Sequence, residues 1–207
     1  GALRPRRLLG GYYTLLTDGP FMAYTLIMSL VLGGLFAIIA AFPFIFIERM
    51  GIPTEHYGYY YAFVVLAFFF GSLAVNRVAD RFTSDQMLVA GLALGVLGQL
   101  ALVAIVAFGW EDPIAMIATQ CFFAFGLGLI FATAPVRAFD VCRAGHGYAA
   151  AMLGALPMAG GGLSTFCVVL THNGTAWPIT IILLTNNTIA CALYLLVKPW
   201  RVRPSGA

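Results

Sequence analysis

The stretch FMAYTLIMSLVLGGLFAIIAAFPFIFI (residues 21–47) runs for 27 residues without one Asp, Glu, Lys, Arg or His. A helix needs about 20 consecutive apolar residues to cross the hydrocarbon core of a bilayer. This stretch therefore predicts a spanning helix. Five more follow it, at 57–75, 87–108, 114–134, 147–170 and 176–197, and none contains an acidic or basic side chain. The pattern predicts an all-α membrane protein whose six transmembrane helices occupy residues 21–197. Residues 1–20 read as the end of a cytoplasmic linker and 198–207 as a cytoplasmic tail.

Composition points the same way. The chain is 61% hydrophobic and only 9% charged, with a mean hydropathy of +0.94. A water-soluble domain carries about 25% charged residues. The net charge of +3 is then a footprint of membrane topology, and the expected partner is a lipid bilayer, with no role for nucleic acid. If the N-terminus is cytoplasmic, ten of the eleven Lys and Arg residues fall on the cytoplasmic side and only Arg49 falls outside. Basic residues set orientation and acidic ones contribute little, so both termini are expected in the cytoplasm. The expected site is a bacterial inner membrane. Trp110 and Trp177 at the outer boundary, Trp200 at the inner one and the cluster Tyr57, Tyr59, Tyr60 and Tyr61 suit the headgroup level, where amphipathic rings are favoured.

Local signals divide the spans. Asp18 offers an N-cap ahead of Pro20 in the first turn of the first span. Pro53-Thr54-Glu55 serves the second. Gly109 closes the third, and Glu111-Asp112-Pro113 opens the fourth with acid near a helix N-terminus. Asn173-Gly174 reads as a tight turn; with Thr175 it also spells a glycosylation acceptor, in a turn with little room for an enzyme. Cys121, Cys142, Cys167 and Cys191 fall in spans or an inner loop, so a disulfide framework is not expected. The basic opening and the length of the first span do not fit a cleavable signal. The chain begins with Gly1, which suggests a fragment or a preceding segment. No phosphate-binding glycine loop is present, and no cofactor or metal is expected. The six spans divide as three plus three, the arrangement of inverted repeats in transporters, although the two triplets share no strong sequence identity.

Three groups of residues could carry function. The first is GSLAVNRVADR (71–81). Gly71 permits close helix contact, and Arg77, Asp80 and Arg81 could either latch helix ends at the inner face or serve orientation alone. The second is GALPMAGGG (154–162). Pro157 with Gly160 and Gly161 could form a bending point, or the glycines could simply pack. The glycines Gly91, Gly95 and Gly98 of the third span read as a packing face. The third group comprises polar residues within spans, which need a partner or water. Hydrogen bonding between helices is the plain reading for them.

The motif at 71–81 resembles the inner-loop motif of the major facilitator superfamily. The segments YTLLTDGPF (13–21), GGLFA (33–37), PFIF (43–46) and GIPT (51–54) resemble the seventh helix and exit loop of Bcr/CflA-type drug-resistance transporters. HNGTAWP (172–178) resembles the approach to their last helix. The resemblance covers nearly the whole chain but only the C-terminal half of a twelve-helix bundle. It implies a half of a multidrug or small-molecule efflux carrier of the drug:proton antiporter type, working by alternating access with an N-terminal six-helix half that is not in this sequence. It places the first, second, fourth and fifth spans at a central cavity and makes the helices of Gln99, Asn186 and Asn187 peripheral, which implies hydrogen bonding between helices for these three. A lipophilic small-molecule substrate would then meet Tyr24, Thr25, Met28, Ser29, Thr119, Gln120 and Phe123. The PxxGG portion around Pro157 resembles the family's antiporter motif but has Leu156 where the family has Gly, and in the family that motif stands in the other half. Proton coupling needs an intramembrane acid or base. None lies in the six spans, so the coupling group is expected in the other half.

Two other classes compete. A non-transporting structural or assembly protein, or an inactive half-transporter, would share every feature above. An intramembrane serine protease would need a paired nucleophile and base, for which Ser164 and His172 are poor material. Catalysis is not expected.

Overall fold

The computed structural model describes residues 5–110, 112–142 and 145–197. Among them every regular element is helical: α1 (Pro5–Leu16), α2 (Gly19–Pro43), α3 (Thr54–Val78), α4 (Ser84–Ala107), α5 (Pro113–Val141), α6 (His146–Thr171) and α7 (Trp177–Val197). Six of them, α2 to α7, are long and apolar enough to cross a membrane, one for each stretch read from the sequence. The tail at 198–207 lies outside the described residues.

Helix ends follow local chemistry. Pro43 has no N–H to give to a helical ladder. Beyond it α2 continues as a wider π-type turn, Phe44–Arg49, in which the Met50 N–H reaches back five residues to the Ile45 carbonyl at 3.0 Å. Thr83 and Gln86 form a reciprocal capping box that starts α4, a pattern present as TSDQ (83–86) that the sequence reading passed over. The Asp112 carboxylate accepts the Ala115 N–H at 2.9 Å and opens α5 as expected. Gly109 and Gly174 adopt the left-handed backbone, with φ of 66° and 75°; Gly109 lies just past the end of α4, and Gly174 lies in the turn between α6 and α7. Asn173 Oδ1 accepts from the Thr175 N–H and hydroxyl.

One expectation is corrected, and one stretch gains structure. Asp18 holds the N-cap backbone position of α2, yet its side chain makes no capping bond; its Oδ2 is buried without a hydrogen-bond partner among the described residues. Residues 5–16, read as linker, form helix α1. It docks through fully buried Leu15 and an edge-to-face contact of Tyr12 with Tyr148 at 5.2 Å. An amphipathic segment beside a bundle finds its helix through burial of one face rather than through propensity.

The bundle is built from two triplets, α2–α4 and α5–α7. Because each has three spans, the second begins at the opposite end and is inverted relative to the first. The packing repeats accordingly. Helix α2 lies on α6 as α5 lies on α3, and α2 meets α7 as α5 meets α4, while α2–α5 and α4–α7 pair across the centre. Lipid offers no hydrophobic force to drive helices together, so close approach of small residues has to do it. The glycines are placed for that purpose. A Cβ on Gly71 would strike the Phe125 carbonyl, and one on Gly128 the Phe68 carbonyl, across α3–α5. Gly160 meets the Ser29 backbone, and Gly33 meets Ser164, across α2–α6. Gly91 and Gly126 face each other's carbonyls across α4–α5, and Gly98 meets the Thr119 carbonyl, as the glycine face of the third span predicted. Helices α2 and α5 form the centre: 56% and 61% of their apolar windows are buried, against 17% and 22% for α3 and α6. The latter two carry exposed Phe63, Leu66, Phe69 and Phe70, and Met158, Leu163 and Phe166, a surface that fits lipid or another helical body and not water.

Candidate functional site

The sequence-predicted residues divide into two clusters and the Pro157 stretch of α6. Gln120 and Thr119 project from α5 into the centre. The Gln120 Nε2 donates to Thr119 Oγ1 at 3.1 Å, and Gln99 of α4 donates its Nε2 to Gln120 Oε1 at 3.4 Å. Phe123, one turn further, lies against Gly34 of α2. Gln99, Gln120 and Phe123 are essentially inaccessible. Across the centre on α2, Thr25 and Ser29 donate to carbonyls one turn back, Phe21 and Thr25, both at 2.9 Å. Tyr24 and Met28 are also buried. All seven cavity candidates are thus buried in the six-helix unit, and Ser29 also lines a side groove between α6 and α7. A sequence period identifies a face of a helix but not what that face meets. Gln99 bonds between helices as expected. Asn186 does too, donating its Nδ2 to Ser164 Oγ at 3.1 Å. Asn187 differs: its Oδ1 is buried beside Gly95 without a hydrogen-bond partner among the described residues.

At the end that carries Arg77 and Asp85, the structure places a charge cluster that the sequence reading missed. Arg137 of α5 grips Asp85 of α4 with two nitrogens, Nε to Oδ1 at 2.9 Å and Nη2 to Oδ2 at 3.2 Å. Its Nη1 reaches Asp140 at 3.1 Å, and Tyr24 of α2 faces the same guanidinium. Asp85 is buried. The parallel fork geometry is the strong form of a charge-assisted pair. The fourth apolar stretch ends at residue 134, but α5 continues as a helix through Pro135 to Val141 and so carries Arg137; Asp85, ahead of the third apolar stretch, lies in the first turn of α4. Acidic and basic side chains therefore do occur within the helices, close to this end. Arg77, Asp80 and Arg81 are exposed, and among the described residues no ion pair joins them. Gly71, by contrast, is buried in the α3–α5 contact.

Helix α6 runs unbroken through Pro157. Pro157 and Gly161 are buried and Gly160 partly so. Gly160 packs on Ser29, and a Cβ on Gly161 would overlap the Phe36 ring; Gly154 and Gly162 have open space beside them. Close packing accounts for Gly160 and Gly161. Pro157 removes one backbone hydrogen bond from α6, and Gly154 and Gly162 leave space on either side of it.

Ser164 has Asn186 as its partner, while His172, beyond the end of α6, lies against Phe44 with ring centroids 5.2 Å apart. A serine–histidine pair is not assembled. Among the described residues no cluster of metal-ligating side chains occurs.

Comparison with known proteins places this arrangement. No family model matches the chain. It is 23% identical over 176 residues to a chloramphenicol resistance protein of Pseudomonas aeruginosa, covering 84% of this chain and 42% of that protein. It is 26% identical over 160 residues to a bicyclomycin resistance protein homolog of Haemophilus influenzae, covering 76% of this chain and 39% of the relative. To an uncharacterized MFS-type transporter, YdgK, of Bacillus subtilis it is 23% identical over 192 residues, or 91% of this chain and 46% of the other. The chain spans less than half the length of these curated relatives. An all-helical bundle of two inverted triplets, similar over most of its length to drug-resistance and MFS-type proteins, has the architecture of one half of a major-facilitator bundle.

Proposed function

We propose that this chain forms the C-terminal six-helix half of a small-molecule efflux carrier of the Bcr/CflA type, moving lipophilic compounds by alternating access against a second six-helix half. The observation that carries this reading is the repeat in the packing: α2–α6 is reproduced by α5–α3 and α2–α7 by α5–α4, in a chain similar to proteins named for chloramphenicol and bicyclomycin resistance. Inverted triplets that rock as a rigid body are the working unit of such carriers. The wide apolar surfaces of α3 and α6 support a unit meant to meet both lipid and a partner half.

In this reading the membrane is a bacterial inner membrane, and the Arg77 end, both termini included, faces the cytoplasm. Drug:proton antiport would draw its titrating group from the other half, because the acidic and basic side chains of this half lie near its ends: of its two buried carboxylates, Asp85 is already held by Arg137 and Asp18 stands at the N-cap position of α2. The seven buried residues Tyr24, Thr25, Met28, Ser29, Thr119, Gln120 and Phe123 act as the wall behind a substrate cavity, which opens to them only as helices separate.

Chloramphenicol accumulation in everted membrane vesicles tests the reading. Vesicles with this chain joined to a complementary six-helix half should accumulate the drug when a proton gradient is imposed, and vesicles with this chain alone should not. Proton-driven accumulation by the 207-residue chain alone would overturn the division of labour. No accumulation by the complete twelve-helix protein with any lipophilic antibiotic would overturn transport.

A further inference from the structure

The bundle has two side grooves related by its internal repeat. One, of about 360 Å³, lies over α5 between α3 and α4, and its lining is apolar: Ala67, Leu94, Cys121, Phe122 and Phe125. The other, of about 350 Å³, lies over α2 between α6 and α7. Its apolar body includes Leu26, Leu163 and Ile181, but it also contains Ser164, Thr185 and Asn186. Both fall within the range of small-molecule sites. The difference between the two carries information, because the repeat predicts equivalence.

Polar groups at mid-membrane need partners. An Asn amide offers two N–H donors and a carbonyl, and a Ser hydroxyl offers a donor and two lone pairs. The Asn186–Ser164 bond uses one amide N–H and one Ser164 lone pair. It leaves the Asn186 carbonyl, its second N–H and the Ser164 proton for something in the groove. Thr185 bears a further hydroxyl there. A plain acyl chain could fill this volume but would satisfy none of these groups. A molecule with an apolar body and one amide- or hydroxyl-type head would satisfy them while covering Leu26, Leu163 and Ile181.

We infer that the α6–α7 groove is a docking site, open to the side of the bundle, for lipophilic small molecules with one hydrogen-bonding head, the head lying on Asn186 and Ser164. This rests on the small-molecule reading above and extends it: compounds partitioned into the lipid meet the carrier half here, at a groove whose floor includes Ser29 of α2. The α3–α4 groove has an apolar lining and offers such a head no partner.

Photolabelling of the purified chain in phospholipid nanodiscs tests the site. The probes are a twelve-carbon fatty amide and the matching alkane, each with a chain-borne diazirine, and labelled peptides are mapped by mass spectrometry. The amide should label the peptides around Leu163 and Ile181 about tenfold more than the alkane does, the effect of roughly one or two hydrogen bonds, while the two probes label the Phe122 peptide equally. Asn186→Leu and the milder Thr185→Val should reduce the amide's advantage; preserved helix content and a single elution peak verify folding, and the wild-type probe comparison stands without either variant. Equal labelling of the α6–α7 groove by amide and alkane would overturn the site. The readout needs no transport. Selective labelling with failed vesicle uptake would therefore overturn the carrier reading and support the site, and the reverse result would do the opposite.

Discussion

The Arg137 guanidinium holds the Asp85 carboxylate at two points, at 2.9 and 3.2 Å, and so ties the last turns of α5 to the first turn of α4. The pair joins helices already in contact through Gly91 and Gly126, so the glycine contact and the ion pair hold the same interface at different depths. Removal of one partner leaves the other charge without compensation. That costs about 3–5 kcal/mol in a fully buried pair; with side chains 23% and 11% exposed, solvent lowers the cost to about 2–3 kcal/mol. Asp85→Asn and Arg137→Gln should each lower the thermal midpoint in detergent. The double variant should be less destabilised than the two losses added. Single variants that melt with the wild type would show the pair to be inert.

The glycines divide into those that touch a neighbour and those that do not. Gly71→Val and Gly160→Val would drive a side chain into the backbones of α5 and α2, where no flexible group can move aside. Both should lose the folded, monodisperse form on mild heating. Gly154→Ala and Gly162→Ala point into open space and remove helix-interior glycines, a gain of about 0.5–1 kcal/mol each. Size-exclusion chromatography after a temperature series separates the two groups; equal behaviour would mean that the α2–α6 and α3–α5 contacts are not close.

Gln99 and Gln120 face each other at 3.4 Å in the centre, and Gln99 Oε1 has no partner among the described residues. Gln120→Leu removes the acceptor for the Gln99 amide and should cost about 1–3 kcal/mol, the penalty for a stranded polar group. Gln99→Leu with Gln120→Leu replaces the pair with apolar groups and should recover most of that loss. If the double variant is no better than Gln120→Leu, the bond between the two amides contributes little.

The spans were legible because lipid imposes one constraint on every stretch: backbone groups must be satisfied internally, over enough residues to cross. The helix stop at Gly109, the turn at Gly174 and the start at Asp112 were legible because single residues determine them. What each polar residue faces was not. Tyr24, Thr119 and Gln120 were assigned to a cavity on the strength of a family resemblance, and the structure buries them within the six helices. The Asp85–Arg137 pair joins residues 52 positions apart, and no local pattern indicates such a contact. Ser164 and Asn186, 22 positions apart, were each noticed as polar, but the groove they share exists only after α6 and α7 settle over α2.

Orientation is a separate test. Arg81 and Asn173 stand at opposite ends of the bundle and both are exposed. The basic-residue bias predicts that Arg81 lies inside and Asn173 outside. With the four native cysteines replaced, Asn173→Cys should react with a membrane-impermeant maleimide in intact cells. Arg81→Cys should react only after permeabilisation. The opposite pattern would invert the chain and remove the cytoplasmic placement of both ends.

Pro157 provides the test of motion. It is buried in an unbroken α6, its ring removes one backbone hydrogen bond, and Gly154 and Gly162, on either side, have space beside them. A helix that rocks as a rigid rod has no need of this weakness; one that bends uses it. Pro157→Ala restores the missing bond and stiffens α6 there without touching the Gly160 contact with Ser29. In a complete twelve-helix carrier the variant should insert and melt normally while uptake slows several-fold at unchanged drug affinity, because the conformational step and not binding is impaired. Unchanged uptake would leave Pro157 with a packing role. A loss of affinity equal to the loss of rate would place it at the substrate instead of at a bend.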